Sequence, residues 1–433
     1  MIPTIIVALI TFIAITVSII LFPSIKLKKS VIGTYWIIAL VGAILLLLLR
    51  LVPIEEIWHS LTSDTSINPL KILVLFLSMT LLSIFLDEVG LFHYLARKAV
   101  KIAKGNQFSL FIIFYLLTAV LTVFTSNDIV VLTLTPFICF FCKNTKINPI
   151  PYLVGEFAAA NTWSMMLIIG NPTNIYLATS AGINFVEYFK VMAIPTLVAG
   201  VVQIALIILI FNKKLKKPLE PQEDPFAIQS KVDLIVGVVH LFVCLVFLII
   251  SSYIHVDMYL VSVICAGSLL LYNLIMRLAT KKHWRYVTDS IKRLPWELIP
   301  FVLSMFVIVV ALEYQGIAQK MGEILGSKYT EWTYGASSFV VANIINNIPM
   351  SILYSTLPNA LTGTTYYKAI YASIIGSNIG AFLTPIGALA GIMFTDITEK
   401  FDVNYGFKQF IKYGFIIAIP TIGAALLLLM FII

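Results

Sequence analysis

The sequence predicts an all-α polytopic membrane protein with two repeats of inverted topology, broken transmembrane helices and about ten full spans. Of its 433 residues, 60% are hydrophobic and 12% are charged, whereas about a quarter of the residues in a soluble globular domain are charged. Apolar runs long enough to cross a hydrocarbon core recur along the whole chain. The loops between them alternate in charge, and similar polar motifs recur in both halves.

The N-terminal apolar run is interpreted as a retained span. It covers Ile5 to Phe22, and after a short loop a second long apolar run covers Val31 to Leu49. A cleaved secretory signal would instead be followed by a polar mature protein. Residues 1–69 are therefore predicted to form N-terminal scaffold spans.

Basic residues mark the loops that we expect on the cytoplasmic side of the membrane. Most lysines and arginines fall in four loops, at residues 23–30, 87–106, 212–231 and 277–293. The loops at residues 52–69 and 251–257 contain no Lys or Arg and carry acidic residues instead. This alternation predicts a multi-pass protein of the bacterial inner membrane with both termini outside. The net charge of +8 is then a topology signal, and no nucleic-acid partner is expected.

The span directions divide the rest of the chain into two repeats of opposite orientation. Residues 70–211 form the first predicted repeat, and residues 295–433 form the second. A proline-containing hydrophilic stretch, residues 212–231, is predicted to be a cytoplasmic linker. Residues 232–294 are predicted to hold connecting spans and a basic cytoplasmic loop. Repeats that enter the membrane from opposite sides are typical of secondary transporters.

Matched motifs support this division into repeats. Leu86-Asp-Glu-Val-Gly-Leu91 corresponds to Leu312-Glu-Tyr-Gln-Gly-Ile317. Each is followed by a short segment of helical periodicity, which is predicted to lie along the membrane interface. Two Asn motifs then follow in each half, in the same order and at similar spacing. The first pair of motifs is Ser126-Asn127-Asp128 with Asn346-Asn347-Ile-Pro349, and the second is Asn161 to Gly170 with Asn378 to Gly387.

Polar residues coincide with helix breakers at these motifs. Unpaired amides are costly in hydrocarbon, so such residues should face a protein-lined cavity or one another. Gly and Pro let each cluster end one half-helix and begin another, which exposes free N–H and C=O groups. Half-helix N-termini attract anions, whereas unwound carbonyls with Asn, Ser and Thr oxygens suit a cation. The alternative is that these residues only mediate tight helix packing through interhelical hydrogen bonds. The candidate substrate-binding or ion-binding residues are Asn127, Asp128, Asn161, Thr162, Gly170, Asn171, Pro172, Thr173, Asn346, Asn347, Pro349, Ser377, Asn378, Thr384, Pro385 and Gly387.

Asp128 is the candidate carrier of a coupling proton or ion, because it is an acid in a motif position between apolar flanks. The alternative is a structural role as the N-cap of the following helix. Three other acids, Asp87, Glu88 and Glu313, lie at span ends and are predicted to cap helices or lie in interfacial loops.

No motif indicates an enzyme, a cofactor or a metal site. The chain has no glycine-rich phosphate loop and no Ser-His-Asp or zinc-protease pattern. The five histidines have no clustered spacing. The four cysteines lie in or beside apolar segments, where a thiol usually behaves as a small hydrophobe. The energy for transport must therefore come from an ion gradient or from a separate subunit.

Five stretches of the chain are similar to a known family. They are residues 86–92, 126–136, 294–299, 346–349 and 371–391. They resemble the bacterial arsenite/antimonite efflux permeases (ArsB-type) of the ion transporter (ArsB/NhaD) superfamily, which also includes sodium/proton antiporters and dicarboxylate symporters. The likeness covers nearly the whole chain. Two stretches of the first half depart from the arsenite pattern, Asn161-Thr162 and Gly170 to Asn174, where the resemblance implies an acidic residue and a Ser-Asn pair. Gly170 to Asn174 looks closer to less specialised anion permeases, which leaves the substrate open.

The resemblance implies a scaffold domain and a transport domain, with a re-entrant transport hairpin in each repeat and broken helices that meet at the midplane. The residues that fall on the hairpin motifs are Asn127, Asp128, Asn346, Asn347 and Pro349. Those that fall on the second unwound segment are Thr384, Pro385 and Gly387.

The function implied by this resemblance is proton-coupled efflux of arsenite or antimonite, with the uncharged trihydroxide held by Asn and Thr side chains and half-helix ends. Three alternatives stay open: a sodium-coupled transporter of a dicarboxylate or inorganic anion, a sodium/proton antiporter, and a membrane channel for a soluble ATPase. The expected partners are a small-molecule or ion substrate and membrane lipid. A soluble ATPase subunit and a homodimer are further partners that the sequence leaves open.

Overall fold

The computed structural model describes residues 1–22, 24–27, 30–63, 68–216, 230–251, 253–280 and 285–433. Within these residues the chain is mainly α-helical, which confirms the predicted fold class. Most of the predicted linker at residues 212–231 lies outside the described residues, as do parts of the basic loops at residues 23–30 and 277–293.

The N-terminal region consists of helices and one small hairpin. The helices are α1 (Ile2–Leu21), α2 (Thr34–Leu48) and α3 (Ile54–Thr62). Strands β1 (Ser24–Leu27) and β2 (Ser30–Gly33) pair in antiparallel fashion between α1 and α2. The all-α prediction misses this hairpin, whose Ile and Val residues favour an extended backbone.

The remaining helices fall into the first repeat, a connecting region and the second repeat. The first repeat contains α4 (Pro69–Glu88), α5 (Leu91–Ala103), α6 (Gln107–Phe124), α7 (Asn127–Asn144), α8 (Ile150–Trp163), α9 (Pro172–Ser180) and α10 (Phe185–Leu215). The connecting region contains α11 (Lys231–Ser251), α12 (Met258–Thr280) and α13 (Arg285–Arg293). The second repeat contains α14 (Leu298–Tyr314), α15 (Ile317–Leu325), α16 (Thr330–Ile345), α17 (Asn347–Tyr354), α18 (Gly363–Gly380), α19 (Leu389–Lys400) and α20 (Phe407–Ile432).

The helices of the two repeats correspond one to one, since α4 to α10 have counterparts α14 to α20 in the same order. Helices α5 and α15, the predicted interfacial segments, each begin after a glycine in the left-handed conformation. Gly90 has a φ of 95° and Gly316 has a φ of 69°. The same left-handed turn therefore precedes both helices. A side chain at either position would strain the backbone, which explains why both positions are glycine.

Contacts at the helix ends show that the repeats have opposite orientations. Arg293, just before α14, forms ion pairs with Asp87 and Glu88 at the end of α4, with N–O distances of 2.7 and 2.5 Å. At the other end of α14, Gln315 accepts a hydrogen bond from the N-terminal amine of Met1. The first helix of one repeat therefore begins where that of the other repeat ends. We call the side with Arg293 the linker face and the side with Met1 the terminal face.

Both chain termini lie at the terminal face. Trp332 in the first turn of α16 donates a hydrogen bond to the sulfur of Met430, near the end of α20. The linker face also holds the end of α7 and the loop after α19, where Lys143 and Asp402 are 3.7 Å apart. The acidic residues at the end of α4, Asp87 and Glu88, pair at this face with Arg293 of the connecting region.

Eight helices in the described part of the chain are long and apolar enough to cross a membrane. Seven of them, α1, α4, α10, α11, α12, α14 and α20, are continuous spans, and the eighth, α6, is one limb of a hairpin. The shorter apolar helix α2 and the broken pairs α8–α9 and α18–α19 complete ten crossing segments, in agreement with the predicted architecture.

Candidate functional site

The tips of two hairpins, α6–α7 and α16–α17, carry the first Asn motif of each repeat. Asn127 is the first residue of α7 and Asn347 is the first residue of α17, and both side chains are buried. Asn346, which precedes α17, has φ 75° and ψ 154°. This conformation is strained for a residue other than glycine, by about 1–3 kcal/mol, and such strain concentrates at functional sites.

Two interrupted helices carry the second Asn motif of each repeat. Helix α8 is followed by two 3₁₀ turns, Ser164–Met166 and Ile168–Gly170, before α9 begins at Pro172. Helix α18 ends at Gly380, and α19 begins at Leu389. A Cβ atom at Gly170 would lie 2.2 Å from the carbonyl oxygen of Ser164, so only glycine fits inside this turn.

The first hairpin tip is bonded to the helix that precedes the first break. The amide nitrogen of Asn127 donates to Oδ1 of Asn161 over 3.2 Å, and the amide nitrogen of Asn161 donates to the carbonyl oxygen of Phe157. These bonds fix the orientation of both amides. The Oδ1 atom of Asn127 therefore points away from Asn161 and has no hydrogen-bond partner among the described residues.

Asn378 of the second repeat holds the first break together. Its Oδ1 lies 2.9 Å from Oγ of Ser164 and accepts from Asn171, while its amide nitrogen donates to Asn174 and to the carbonyl oxygen of Ile374. Because its donors and acceptor are all engaged within the protein, Asn378 has no free group for a solute. At this cluster the side chains fit the alternative given in the sequence analysis, in which the motif residues mediate helix packing through interhelical hydrogen bonds.

The second hairpin tip is bonded to the second break. The amide nitrogen of Asn346 donates to the carbonyl oxygen of Ile386 over 2.9 Å. The backbone N–H of Asn347 donates to the carbonyl oxygen of Gly387 over 3.1 Å. The Thr384 hydroxyl donates to Asn343 in the same region. No hydrogen bond between the described residues joins this group directly to the Asn127–Asn161 pair.

Asp128 connects the first hairpin to the second break. Its half-buried carboxyl group lies near the backbone N–H of Ala390, in the first turn of α19. The interpretation of Asp128 as the N-cap of its own helix is wrong, because Ser126 occupies that position. A helix N-terminus stabilises a carboxylate through its free N–H groups and its dipole, so Asp128 is held near α19 most strongly when it is ionised.

Four buried oxygens near the motifs have no hydrogen-bond partner among the described residues: Oδ1 of Asn127 and of Asn347, and Oγ of Ser126 and of Ser377. The two amide oxygens occupy corresponding positions in the two repeats. Leaving a buried polar group unpaired costs about 1–3 kcal/mol, so each of these oxygens is a candidate to accept a hydrogen bond from water or from a ligand.

The remaining predicted residues lie at or beside the breaks. Pro172 lines a cavity of about 20 Å³ together with Ile348 of the second hairpin. Thr173 donates to Asn171 within the first break, and Pro349 and Pro385 lie in the second hairpin and second break. Thr162 is different, because its hydroxyl accepts from Gln203 of α10 and is thereby directed toward helix packing.

Glu156 was missed by the sequence predictions. It lies in α8, five residues before Asn161, and its side chain is 1% exposed. Its carboxyl group accepts from the hydroxyl of Thr135 in α7, at 3.2 and 3.3 Å. The signal was an acid with apolar flanks, which is the same signal that selected Asp128.

Comparison with known proteins identifies relatives along most of the chain. Residues 19–364 match the family described as citrate transporter. An arsenical pump membrane protein of Escherichia coli is 24% identical over 416 residues, which cover 90% of this chain and 91% of that protein. A putative arsenical pump membrane protein of Bacillus subtilis (strain 168) is 26% identical, with 88% and 90% covered. These relatives confirm the resemblance seen in the motifs.

The fold also resembles a solved structure. The crystal structure of the Alcanivorax borkumensis YdaH transporter, described as having an unusual topology, matches 99% of this chain and 97% of that one, with a TM-score of 0.52 and 12% sequence identity. This likeness supports the architecture of interrupted helices and hairpins described above.

Proposed function

The chain belongs to the citrate transporter (CitMHS) family, and we propose that it is a secondary active transporter that exports arsenite or antimonite in exchange for protons. The relatives named arsenical pump membrane proteins, which align with about nine-tenths of the chain, support this substrate. The family description leaves a carboxylate as the main competing substrate.

The observation that carries the proposal is the chemistry of the unpaired groups at the hairpin tips. Oδ1 of Asn127 and Oδ1 of Asn347 are hydrogen-bond acceptors, and neither has a donor among the described residues. An uncharged trihydroxide offers three O–H donors and suits such atoms. A carboxylate anion offers only acceptors and would need cationic or N–H groups instead.

Asp128 is the proposed coupling residue. When ionised it is attached to the first turn of α19, and protonation weakens that attachment because a neutral carboxyl is a poorer acceptor. The proton state of Asp128 would therefore control how firmly the first hairpin binds the second break. Solute release and proton uptake are linked through this contact.

A sodium-coupled carboxylate transporter is the second candidate. Matched amide oxygens at two helix ends also suit sodium ions, and an anion could bind beside the bound cations. In that case sodium, and not protons, would drive transport.

Everted membrane vesicles without ATP separate the candidates. We expect uptake of arsenite under a proton gradient, and loss of that uptake in Asp128→Asn, while Asp396→Asn at an exposed surface pair serves as the matched control. Sodium-dependent uptake of citrate without arsenite uptake would support the second candidate. A strict requirement for ATP would contradict both.

A further inference from the structure

Glu156 is a buried acid that the proposed mechanism does not yet use. Its side chain is 1% exposed, and the Thr135 hydroxyl is the hydrogen-bond partner of its carboxyl group among the described residues. One hydroxyl can donate only one hydrogen bond, whereas an ionised carboxylate has about four acceptor positions. The pocket is therefore poorly built for a permanent negative charge.

No ion pair in the described part of the chain includes Glu156. Among the described residues, no lysine, arginine or histidine side chain is fully buried. Cys139 of α7 lies one helical turn beyond Thr135, and His93 of α5 packs edge-on against Phe137 of α7, with ring centroids 5.7 Å apart. The tyrosines of the other helices packed on α8 are engaged elsewhere: Tyr115 of α6 donates to the carbonyl oxygen of Gly200 or to Gln203, and Tyr188 of α10 donates to Met165. Tyr371 of α18 packs beside Tyr188.

Burying an uncompensated carboxylate costs several kcal/mol, so the resting form of Glu156 carries a proton. An ionisable group inside a membrane-spanning segment commonly marks a proton or ion pathway.

The two repeats match in their amides but not in their acids. Counted from Asn161 and Asn378, Glu156 corresponds to Ser373 in the second repeat. Counted from Asn127 and Asn347, the first residues of α7 and α17, Asp128 corresponds to Ile348. The partner Thr135 corresponds to Ser355. Groups that bind the solute are thus present in both halves, whereas carboxyl groups at these depths are present in one. Because these acids are present in only one of the two halves, we assign them a role other than solute binding.

Glu156 lies between the first hairpin tip and the linker face. Thr135 follows Asn127 by eight residues along α7, a rise of about 12 Å. Beyond it, α7 ends at the linker face, where Lys143 lies near Asp402. A proton that travels from Asp128 toward the linker face would pass the level of Glu156.

We propose that Glu156 is a second proton-binding site, which takes the coupling proton from the level of Asp128 and releases it toward the linker face. The O–H bond of the Asp128 carboxyl breaks as its proton leaves, and an O–H bond forms on the Glu156 carboxylate when that proton arrives. The new bond breaks in turn when water reaches the site and accepts the proton. Because Glu156 is closed to solvent in this structure, release requires that α7 and α8 move apart. This inference rests on the proposed proton coupling.

The test compares Glu156→Gln with Ser373→Ala, the corresponding buried position of the second repeat, in proteoliposomes. In Glu156→Gln we expect proton-driven accumulation of arsenite to fall roughly tenfold or more, because the coupling step is lost. Arsenite counterflow, which needs no net proton movement, should persist. Ser373→Ala should retain both activities. Accumulation by Glu156→Gln at the wild-type level would overturn the proposal.

A second measurement does not depend on the transported solute. A protonated carboxylic acid has an infrared carbonyl stretch that a carboxamide lacks, so the spectrum of Glu156→Gln should lose one such band relative to the wild type. If the wild type transports no arsenite under any gradient, the proposed function fails, but this band still tests the proton site. An unchanged spectrum would contradict it.

Thr135→Val tests the site if Glu156→Gln does not fold. It removes the hydroxyl donor and keeps the acid, so the pH dependence of accumulation should shift while the protein remains assembled. An unshifted pH profile in this variant would also count against the proposal.

Discussion

At the residue scale, the motif asparagines divide into two kinds that look alike in the sequence. Asn378 is engaged in three hydrogen bonds to the first break, whereas Asn127 and Asn347 each keep an oxygen without a partner among the described residues. The sequence predicts that all of them lie at helix interruptions. It cannot show which are saturated, because the partners of Asn378 come from residues about 200 positions away in the chain.

Alanine substitution should distinguish the two kinds. In Asn347→Ala we expect arsenite transport to weaken about tenfold in KM, since one hydrogen bond to the solute is worth about 1–1.5 kcal/mol. Its thermal stability should change little. Asn127→Ala should have a similar effect on KM, with an added loss of stability because Asn161 loses its donor.

Asn378→Ala is the matched control for these variants. It removes the acceptor and the donors that close the first break, and each buried group left unpaired costs about 1–3 kcal/mol. The expected result is a lower melting temperature of the purified protein. If Asn378→Ala melts normally while Asn347→Ala unfolds, the assignment of solute-binding and structural amides is reversed.

Glu156 shows why a residue can escape prediction although its signal is present. Asp128 stands inside a polar motif, whereas Glu156 stands in an otherwise unbroken helical stretch. Its burial depends on α7 packing on α8 and on the hydroxyl of Thr135. The burial of Glu156 and its hydrogen bond depend on tertiary packing, and no local sequence pattern in α8 predicts them.

At the element scale, hydropathy and periodicity predict the long spans and the interfacial helices α5 and α15. They miss α3, α13 and the β1–β2 hairpin, which lie in stretches assigned as loops because of their charge. They also do not predict how closely the hairpin limbs approach the interrupted helices. That distance depends on small residues, and Gly376 is the clearest case.

Gly376→Ala should loosen the second hairpin. Helix α18 packs on α16 at Gly376, where a Cβ atom would lie 2.2 Å from the carbonyl oxygen of Gly335. Backbone cannot yield cheaply, so the two helices must separate, at a cost of about 1–3 kcal/mol. We expect a lower melting temperature and reduced transport. Gly267→Ala on α12 meets open space and should be neutral or slightly stabilising. Equal behaviour of both variants would mean that the α16–α18 contact is not limiting.

At the scale of the whole molecule, each repeat completes the site of the other. Asn378 of the second repeat closes the break of the first, and Asp128 of the first repeat attaches to α19 of the second. The Arg293 ion pairs join the end of α4 in the first repeat to α13 of the connecting region at the linker face. A movement of one hairpin therefore changes the environment of the opposite break, which is what exchange of solute for protons requires.

The inverted arrangement of the repeats implies a definite membrane topology. The basic loops predict that the linker face is cytoplasmic and that both termini are outside. Single cysteines at exposed positions on the two faces can test this: Ile324→Cys in α15 at the terminal face, and Lys400→Cys at the end of α19. The four native cysteines are free and buried, so they should react slowly.

In spheroplasts, a membrane-impermeant maleimide should label Ile324→Cys and leave Lys400→Cys unlabelled, and everted vesicles should show the opposite pattern. If the pattern is exchanged between the two preparations, the repeats remain inverted but the termini lie in the cytoplasm. The proposed direction of proton movement past Glu156 would then run outward. Labelling of both positions from the same side would contradict the assignment of α18–α19 as one crossing segment, because α15 lies at the terminal face and α19 ends at the linker face.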